Sequence, residues 1–272
     1  MCLLPTPRRS ASPPPPTRRM SRLRVSISGA VGRVTLAHPA YDNAIDGETA
    51  RQLTDVLIEF EADDEVRAVL LNADGPNFCG GADLESLAAL LDGGAEGFDR
   101  EAQDLGRVFL TIRGMQKPVI AAVQGKALGV GCGLASACDV VLARDDAKFG
   151  YTEVRLGLVP AMLIPTLRRS VNEKHAFDLI ASGRIIGAAD AEKLGLVSRV
   201  VPFILFDDEV ERYVLSIAAS PSVAMGITKR LFYRVDNLGF RDGIGESVKG
   251  NLEARETEDF RTAVLRYAKR AE

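Results

Sequence analysis

The sequence predicts an α/β fold followed by a C-terminal segment made of helices alone. Two observations predict it. Short apolar runs of strand length, bounded by glycine-containing turns, are interleaved with helix-period segments over the first two hundred or so residues. From about residue 207 onward the strand-like runs stop and only helical periodicity remains.

The composition is that of a globular protein able to bury a core. Of 272 residues, 46% are apolar and 26% are charged, and the net charge is −3. Nucleic acid and anionic membrane surfaces call for a basic protein field, so we expect no nucleic acid and no membrane among the partners. No apolar run approaches the roughly 20 residues that a membrane-spanning helix needs.

The cysteines and histidines predict no metal site. The chain has four cysteines without a CxxC pair and two histidines far apart in sequence, so zinc-ligand spacing is absent. We expect no metal, no separate cofactor and a reducing, cytoplasmic location.

The first twenty residues, "MCLLPTPRRSASPPPPTRRM", differ from the rest of the chain. They are rich in proline and arginine and contain no acid, which predicts a disordered tail without contacts to the body. A transit peptide and a mis-assigned start, with translation beginning at Met20, are the alternatives. The predicted domains are this tail (1–20), an α/β core (21–206) and a helical segment (207–272).

The first elements are a strand pair and a helix. "RLRVSISG" (22–29) and "GRVTLAH" (32–38) alternate and are separated by glycines, which predicts two adjacent strands. Asp46 is a candidate N-cap for the helix that follows. Its predicted buried face consists of Ala50, Leu53, Leu57 and Phe60.

Further elements alternate along the chain. The patterns predict a strand at 66–72, a glycine-rich loop at 73–84, a helical region at 85–114, and strands at 118–125 and 140–145. Three helical segments follow from residue 207, and Pro221 marks the start of the second.

The stretch "ALGVGCGLASACD" (127–139) has an unusually bare backbone. A dinucleotide loop needs G-x-G-x-x-G, but here the third glycine, Gly133, comes one position early. The spacing of a phosphate-binding P-loop is absent too. A tight turn into a closely packed helix explains the small side chains, but it does not explain a second bare loop, "FCGGADL" (78–84).

Four segments in order carry a family resemblance: "NFCGGADL", "KPVIAAVQGKALGVGCGLASACD", "AKFGYTEVRLGLVP" and "GAADAEKLGLVSRVV". They resemble the signatures of the enoyl-CoA hydratase/isomerase, or crotonase, family. The resemblance implies a spiral of ββα units with a C-terminal helical trimerisation segment, assembled as a homotrimer or homohexamer. It also implies an acyl-CoA thioester substrate, of which coenzyme A is part.

The resemblance places an oxyanion hole at the two bare loops. Its donors map onto the N–H groups of Ala82 and Val130, where the family more often has glycine at the second position. Two such donors stabilise the negative charge that develops on a thioester oxygen. The predicted coenzyme A and substrate contacts are Gly80, Ala82, Asp83, Leu84 and Gly129; a helix cap is an additional role for Asp83.

Glu153, in "YTEVRLG", matches a catalytic glutamate of the family, and we expect it to be the general acid and base at the substrate α-carbon. The alternative is an ordinary glutamate paired with Arg155.

The other glutamate of well-studied hydratases is absent, because its position holds Gly133. Three interpretations stay open: a hydratase using Glu153 with water or a substitute acid, a one-base Δ3-Δ2 isomerase, and a silent acyl-CoA-binding protein. A finer resemblance to bacterial methylglutaconyl-CoA hydratases favours hydration. The candidate substitutes are Glu85, Glu96, Glu101 and Asp104, and the sequence selects none of them.

Overall fold

A seven-stranded mixed sheet organises the fold in the computed structural model, which describes residues 17–268. The ten strands, in chain order, are β1 (Thr17–Arg19), β2 (Leu23–Ser28), β3 (Val31–Leu36), β4 (Ala68–Ala73), β5 (Val119–Val123), β6 (Lys126–Leu128), β7 (Val140–Arg144), β8 (Lys148–Gly150), β9 (Ile185–Gly187) and β10 (Arg199–Val201). The main sheet has the order β1-β2-β3-β4-β5-β7-β10, and a three-stranded sheet has the order β6-β8-β9.

Eleven α-helices surround these sheets within the described residues. They are α1 (Gly47–Ala62), α2 (Leu84–Ala89), α3 (Gly94–Gly114), α4 (Val130–Ala137), α5 (Ile164–Ser170), α6 (Glu173–Ser182), α7 (Ala188–Leu194), α8 (Phe206–Ala218), α9 (Ser222–Arg234), α10 (Phe240–Arg255) and α11 (Glu258–Ala268). None of the helices within residues 17–268 is both long enough and apolar enough to cross a membrane.

The predicted strand pair is confirmed. β2 and β3 pair antiparallel, with Leu23 opposite Leu36 and Ser28 opposite Val31. From β3 onward the main sheet is parallel through β4, β5, β7 and β10. All five residues of β5 are buried, as expected for a central parallel strand covered on both faces.

Helix α1 begins where the sequence predicts. The Asp46 carboxylate accepts a hydrogen bond from the N–H of Thr49, which satisfies one of the free amides of the first turn. Its predicted apolar face is buried in the larger core cluster. The cap and the helical period therefore suffice to predict this element.

The end of the predicted tail does contact the body. Thr17–Arg19 form β1 and pair antiparallel with β2, and Arg18 forms an ion pair with Glu59 at 2.9 Å. The expectation of a tail without contacts is wrong for these residues, because an open edge of β2 offers backbone partners that composition does not reveal. The rest of the tail, 1–16, lies outside the described residues.

The small sheet is not predicted from the pattern of apolar residues. Each of β6, β8 and β9 has three residues, which is too short for alternation to be recognised. β6 and β8 pair in parallel across nineteen intervening residues, and this non-local pairing holds them in place.

The C-terminal helices differ from the prediction in two ways. α8 buries Phe206 and Val214 against main-sheet residues that include Leu70 and Leu142, so it packs as part of the core and the predicted division at 206/207 does not coincide with a gap in packing. The third predicted segment is two helices, α10 and α11. Between them the hydroxyl of Thr257 accepts a hydrogen bond from the N–H of Phe260 and starts the second helix.

Candidate active site

The two glycine-rich loops lie side by side. The N–H of Cys79 donates to the carbonyl of Lys126 at 2.9 Å, and the N–H of Leu128 donates to the carbonyl of Cys79 at 3.0 Å. A Cβ added to Gly131 would lie 2.6 Å from the Cβ of Cys79, inside normal contact distance. The bare backbone of the second loop is therefore what lets the first loop approach it.

One glycine in each loop turns the backbone toward the same space, and these two glycines are neighbours in the fold. Gly81 has φ +126° and Gly129 has φ +51°, conformations that side chains other than glycine rarely adopt. The Cα of Gly81 lies 3.7 Å from the position of a Cβ on Gly129. The peptide groups that follow them carry the N–H groups of Ala82 and Val130.

These two N–H groups are free to act as donors. Among the hydrogen bonds of the described residues, none uses the N–H of Ala82 or that of Val130, whereas the neighbouring N–H of Asp83 donates to the carbonyl of Ile45. Val130 is the first residue of α4, whose eight residues are all buried, so the positive end of the helix dipole lies at the same place. The pair has the form of an oxyanion hole.

Glu153 reaches this place from the small sheet. The N–H of Gly129 donates to the carbonyl of Gly150, the last residue of β8, at 2.8 Å. Tyr151, fully buried, forms a hydrogen bond between its hydroxyl and the hydroxyl of Ser136 on α4 at 2.9 Å. A single 3₁₀ turn then starts at Glu153. The segment before Glu153 is thus held to the second loop at Gly150 and to α4 at Tyr151.

The Glu153 carboxylate faces the two loops and has no partner in any other residue within 17–268. Its Oε1 lies 2.6 Å from the position of a Cβ on Gly129, and its Oε2 is buried without a hydrogen-bond partner among the described residues. Burial raises the pKa of this carboxyl above its ordinary value. The alternative pairing with Arg155 is not formed, because the guanidinium of Arg155 is directed to the carbonyl of Ser182.

A cavity of about 630 Å³ joins these groups. Ala82, Val130 and Glu153 line it together with Leu84. Its remaining walls come from α2, α3 and the segment 156–163, and they are almost entirely apolar. The predicted oxyanion donors and the predicted acid therefore meet at one apolar cavity, as a proton transfer beside a thioester requires.

The position of the missing glutamate is filled by another side chain. A Cβ on Gly133 would overlap the Cδ2 of Leu163, with the Cγ of Leu163 at 3.3 Å. Leu163 is 2% exposed and ends a 3₁₀ turn, Ala161–Leu163, in the segment "PAMLIP". The glycine at position 133 and the bulky side chain of Leu163 are thus two parts of one packing arrangement.

The other predicted contact residues divide into two groups. Leu84 lines the cavity, and Gly129 lies against Glu153. The Asp83 carboxylate instead caps α2 by accepting from the N–H groups of Glu85 and Ser86, and it pairs with Arg22 at 2.6 Å.

The Gly80 N–H is also occupied, since it donates to the carbonyl of Asp42 at 2.7 Å. The Gly80 N–H and the Asp83 carboxylate already have partners within the protein, so the structure does not support the predicted coenzyme A contacts of these two residues. Those contacts stay predictions. The helix cap considered for Asp83 is confirmed.

Buried thiols lie near the loops but are poor nucleophiles. Burial raises the pKa of Cys79 to about 12, as it does for Cys132. Cys79 is buried and fills space between the loops. Within residues 17–268 no group of three histidine, cysteine or acidic side chains is placed to hold a metal ion.

A protein-family profile matches nearly the whole chain. The profile of the enoyl-CoA hydratase/isomerase family matches residues 26–267. The chain belongs to this family. It is 36% identical over 239 residues to a provisionally named enoyl-CoA hydratase of Thermus thermophilus, covering 88% of this chain and 94% of that protein.

Solved structures of this family share the fold. An enoyl-CoA hydratase from Mycobacterium smegmatis superposes with a TM-score of 0.86 at 30% identity, over 95% of this chain and 97% of that chain. One from Polaromonas sp. JS666 gives a TM-score of 0.87 at 26% identity, over 91% and 97%. The predicted crotonase fold is confirmed. The finer resemblance to methylglutaconyl-CoA hydratases stays a prediction.

The motifs predict the two loops and Glu153, but they do not predict the contacts that hold these elements in place. The Tyr151–Ser136 hydrogen bond that holds the segment before Glu153 has no motif of its own. The contact of Leu163 with Gly133 also has no local signal, because it joins positions thirty residues apart. Such contacts depend on the packing of α4 against the following 3₁₀ turn.

Proposed function

We propose that the protein is an enoyl-CoA hydratase that adds water across the α,β double bond of an acyl-CoA thioester. The observation that carries the proposal is the convergence of three groups on one apolar cavity: the free N–H groups of Ala82 and Val130 and the unpartnered carboxyl of Glu153. The relatives that bear the name enoyl-CoA hydratase support it.

The oxyanion hole supplies the electrostatic part of the reaction. When water adds to Cβ, electron density moves through Cα to the thioester oxygen, which becomes an enolate oxygen. Donors at Ala82 and Val130 stabilise that charge, and each such donor contributes roughly 2.7–4 kcal/mol, or about 10²–10³ in rate. Because the cavity walls are apolar, solvent screens this interaction little.

Glu153 supplies the proton that completes the addition. Its raised pKa favours the protonated form, which can donate to Cα as the enolate collapses to the hydroxyacyl thioester. In the reverse direction the same carboxylate removes the α-proton. No cofactor is needed for either step, since both are proton transfers within the substrate and water.

The walls indicate an acyl group without charge. Leu84, Phe98, Leu105 and Met162 line the cavity beside the reacting groups. A cavity of this size and character suits a short or medium alkenyl chain, and the burial of each CH₂ contributes about 0.8 kcal/mol to binding.

Two absorbance measurements test the proposal. Incubation with crotonyl-CoA is expected to give loss of the conjugated thioester absorbance, and a 3-enoyl-CoA is expected to give no gain of that absorbance at a comparable rate. Loss of signal with crotonyl-CoA and appearance of 3-hydroxybutyryl-CoA support hydration. Gain with the 3-enoyl-CoA alone identifies an isomerase instead, and flat traces with acyl-CoA still bound identify a binding protein.

Self-association through the C-terminal helices is part of the proposal. Four apolar side chains spaced four residues apart on α10 are each more than half exposed, namely Phe240, Ile244, Val248 and Leu252. Such a stripe is costly to leave in water, and a homotrimer or homohexamer would cover it. Light scattering is expected to report an oligomer, and Val248→Glu is expected to reduce its mass; a wild-type monomer would contradict this. The cytoplasmic location stays a prediction.

A further inference from the structure

The cavity that holds Glu153 contains one other carboxyl group. Eighteen described residues line it, and Glu101 and Glu153 are the two among them with polar side chains; the others are Ala, Leu, Val, Phe, Pro and Met. A carboxyl on an otherwise apolar wall needs an explanation, because apolar surroundings disfavour its charged form.

Glu101 belongs to the stripe of α3 that faces the cavity. Phe98, Ala102 and Leu105 line the same cavity, and their spacing around Glu101 is that of one helix face. Glu153 comes from a different part of the fold, the 3₁₀ turn after β8. The two carboxyls therefore enter one cavity from separate elements.

The Glu101 carboxyl has no structural partner. No hydrogen bond or ion pair within residues 17–268 uses it, although the side chain is half-buried. Burial and the neighbouring charge of Asp104 both raise its pKa. Glu101 also borders a neighbouring cavity of about 300 Å³ that Arg51 and Arg100 line, but it pairs with neither of them. Its carboxyl is therefore available to a molecule inside the cavity that holds Glu153.

The three other candidate acids are excluded by their positions. Asp104 is buried and bound to the guanidinium of Arg51 on α1. Glu96 is exposed and pairs with Arg100 at 3.3 Å. Glu85 is exposed in the first turn of α2 and does not line the cavity. The structure thus selects one residue where the sequence selects none.

We infer that Glu101 is the second catalytic carboxylate, which binds the attacking water and takes its proton. This inference rests on the proposed hydration. As the water oxygen bonds to Cβ, a water proton moves to Glu101, the π-electron pair moves toward the thioester oxygen, and the proton of Glu153 then passes to Cα. One water is consumed, and exchange with solvent returns the proton from Glu101 to Glu153 between turnovers.

The Gly133–Leu163 contact explains why α3, and not α4, supplies the side chain that holds the water in this mechanism. Leu163 fills the space beside Gly133, so α4 offers no side chain to bind water there. Glu101 provides a carboxylate from α3 on the same cavity.

The test separates the water step from the proton transfer at Cα. Glu101→Gln, Glu153→Gln and a control from the same helix, Glu96→Gln, are compared in two assays: hydration of crotonyl-CoA, and exchange of the α-protons of butyryl-CoA with deuterium followed by NMR. Glu101→Gln is expected to lower kcat for hydration about 10²–10⁴-fold, the usual contribution of a general base, while keeping α-proton exchange within a few-fold of wild type. Glu96→Gln is expected to change neither.

The outcomes distinguish this inference from the proposed function. A Glu101→Gln enzyme that hydrates at the wild-type rate overturns the inference and leaves the hydratase intact. Parallel loss of hydration and exchange in that variant assigns Glu101 a structural role and overturns it as well. A wild-type enzyme that exchanges α-protons but hydrates no enoyl-CoA refutes the proposed function itself.

Discussion

Leu163 occupies the space that any side chain at position 133 would need: a Cβ on Gly133 would overlap its Cδ2 and lie 3.3 Å from its Cγ. Both positions are buried, one on α4 and the other in the 3₁₀ turn that packs against it. The active site therefore differs from a two-glutamate hydratase by a coupled pair of residues, and restoring the glutamate alone does not restore that site.

Gly133→Glu is expected to lower the free energy of unfolding by at least the 1–3 kcal/mol typical of overpacking, because the new side chain must displace Leu163. Leu163→Ala alone leaves a cavity and costs about 2–5 kcal/mol. In the double variant the two costs are expected to compensate by at least about 0.5 kcal/mol. Urea unfolding of the four proteins measures this coupling. Strictly additive costs would show that the two residues do not compete for space.

Replacing Val130 by proline tests the oxyanion hole. Val130 is the first residue of α4, a position where proline is tolerated, and Gly129 before it has φ 51° and ψ −122°, outside the α region that proline disfavours. Val130→Pro removes one N–H donor and is expected to lower kcat about 10²–10³-fold. Val130→Ala keeps the donor and is the matched control.

Steady-state kinetics on crotonyl-CoA, with circular dichroism to confirm folding, decide this prediction. A folded Val130→Pro enzyme with the activity of the Val130→Ala control would show that this amide does not contact the reacting oxygen.

The stability of the protein is expected to depend on pH through Glu153. Burial raises the pKa of this carboxyl above its ordinary value of 4.5, so at intermediate pH the folded chain holds a proton that the unfolded chain releases. Its favourable contribution is complete below the ordinary pKa and is lost as the pH rises through the raised value. Glu153→Gln does not titrate, so its stability relative to wild type is expected to rise as the pH increases above the ordinary pKa of 4.5.

Chemical denaturation of both proteins below and above that pKa checks the sign of the change. A stability difference between Glu153→Gln and wild type that is independent of pH would mean that the Glu153 carboxyl is as well solvated in the folded protein as in the unfolded chain.

Local signals predicted the parts of this fold that depend on neighbours in sequence. Asp46 and the apolar period after it define α1, and the glycines between β2 and β3 define a hairpin. The three-residue strands β6 and β8 carry no such signal, although their pairing brings Glu153 to Gly129. Their register depends on backbone partners far apart in the chain.

In the candidate site, too, local motifs predicted some residues, whereas others depend on contacts between distant parts of the chain. The motifs indicated Ala82, Val130 and Glu153, which the structure brings to one cavity. They could not choose among four acids in the helical region, because the choice depends on which helix face meets the cavity and on which acid already has a partner. Asp104 is satisfied by Arg51, and Glu101 is not satisfied by any described residue.

The most direct measurement is the rate of crotonyl-CoA hydration by Glu153→Gln, with acyl-CoA binding measured by calorimetry on the same protein. The change keeps the size of the side chain and removes its ability to transfer a proton, so kcat is expected to fall at least about 10²-fold while the binding constant stays near that of wild type. Hydration at an unchanged rate by a folded, ligand-binding Glu153→Gln enzyme would contradict the assignment of this carboxyl as the acid beside the oxyanion hole.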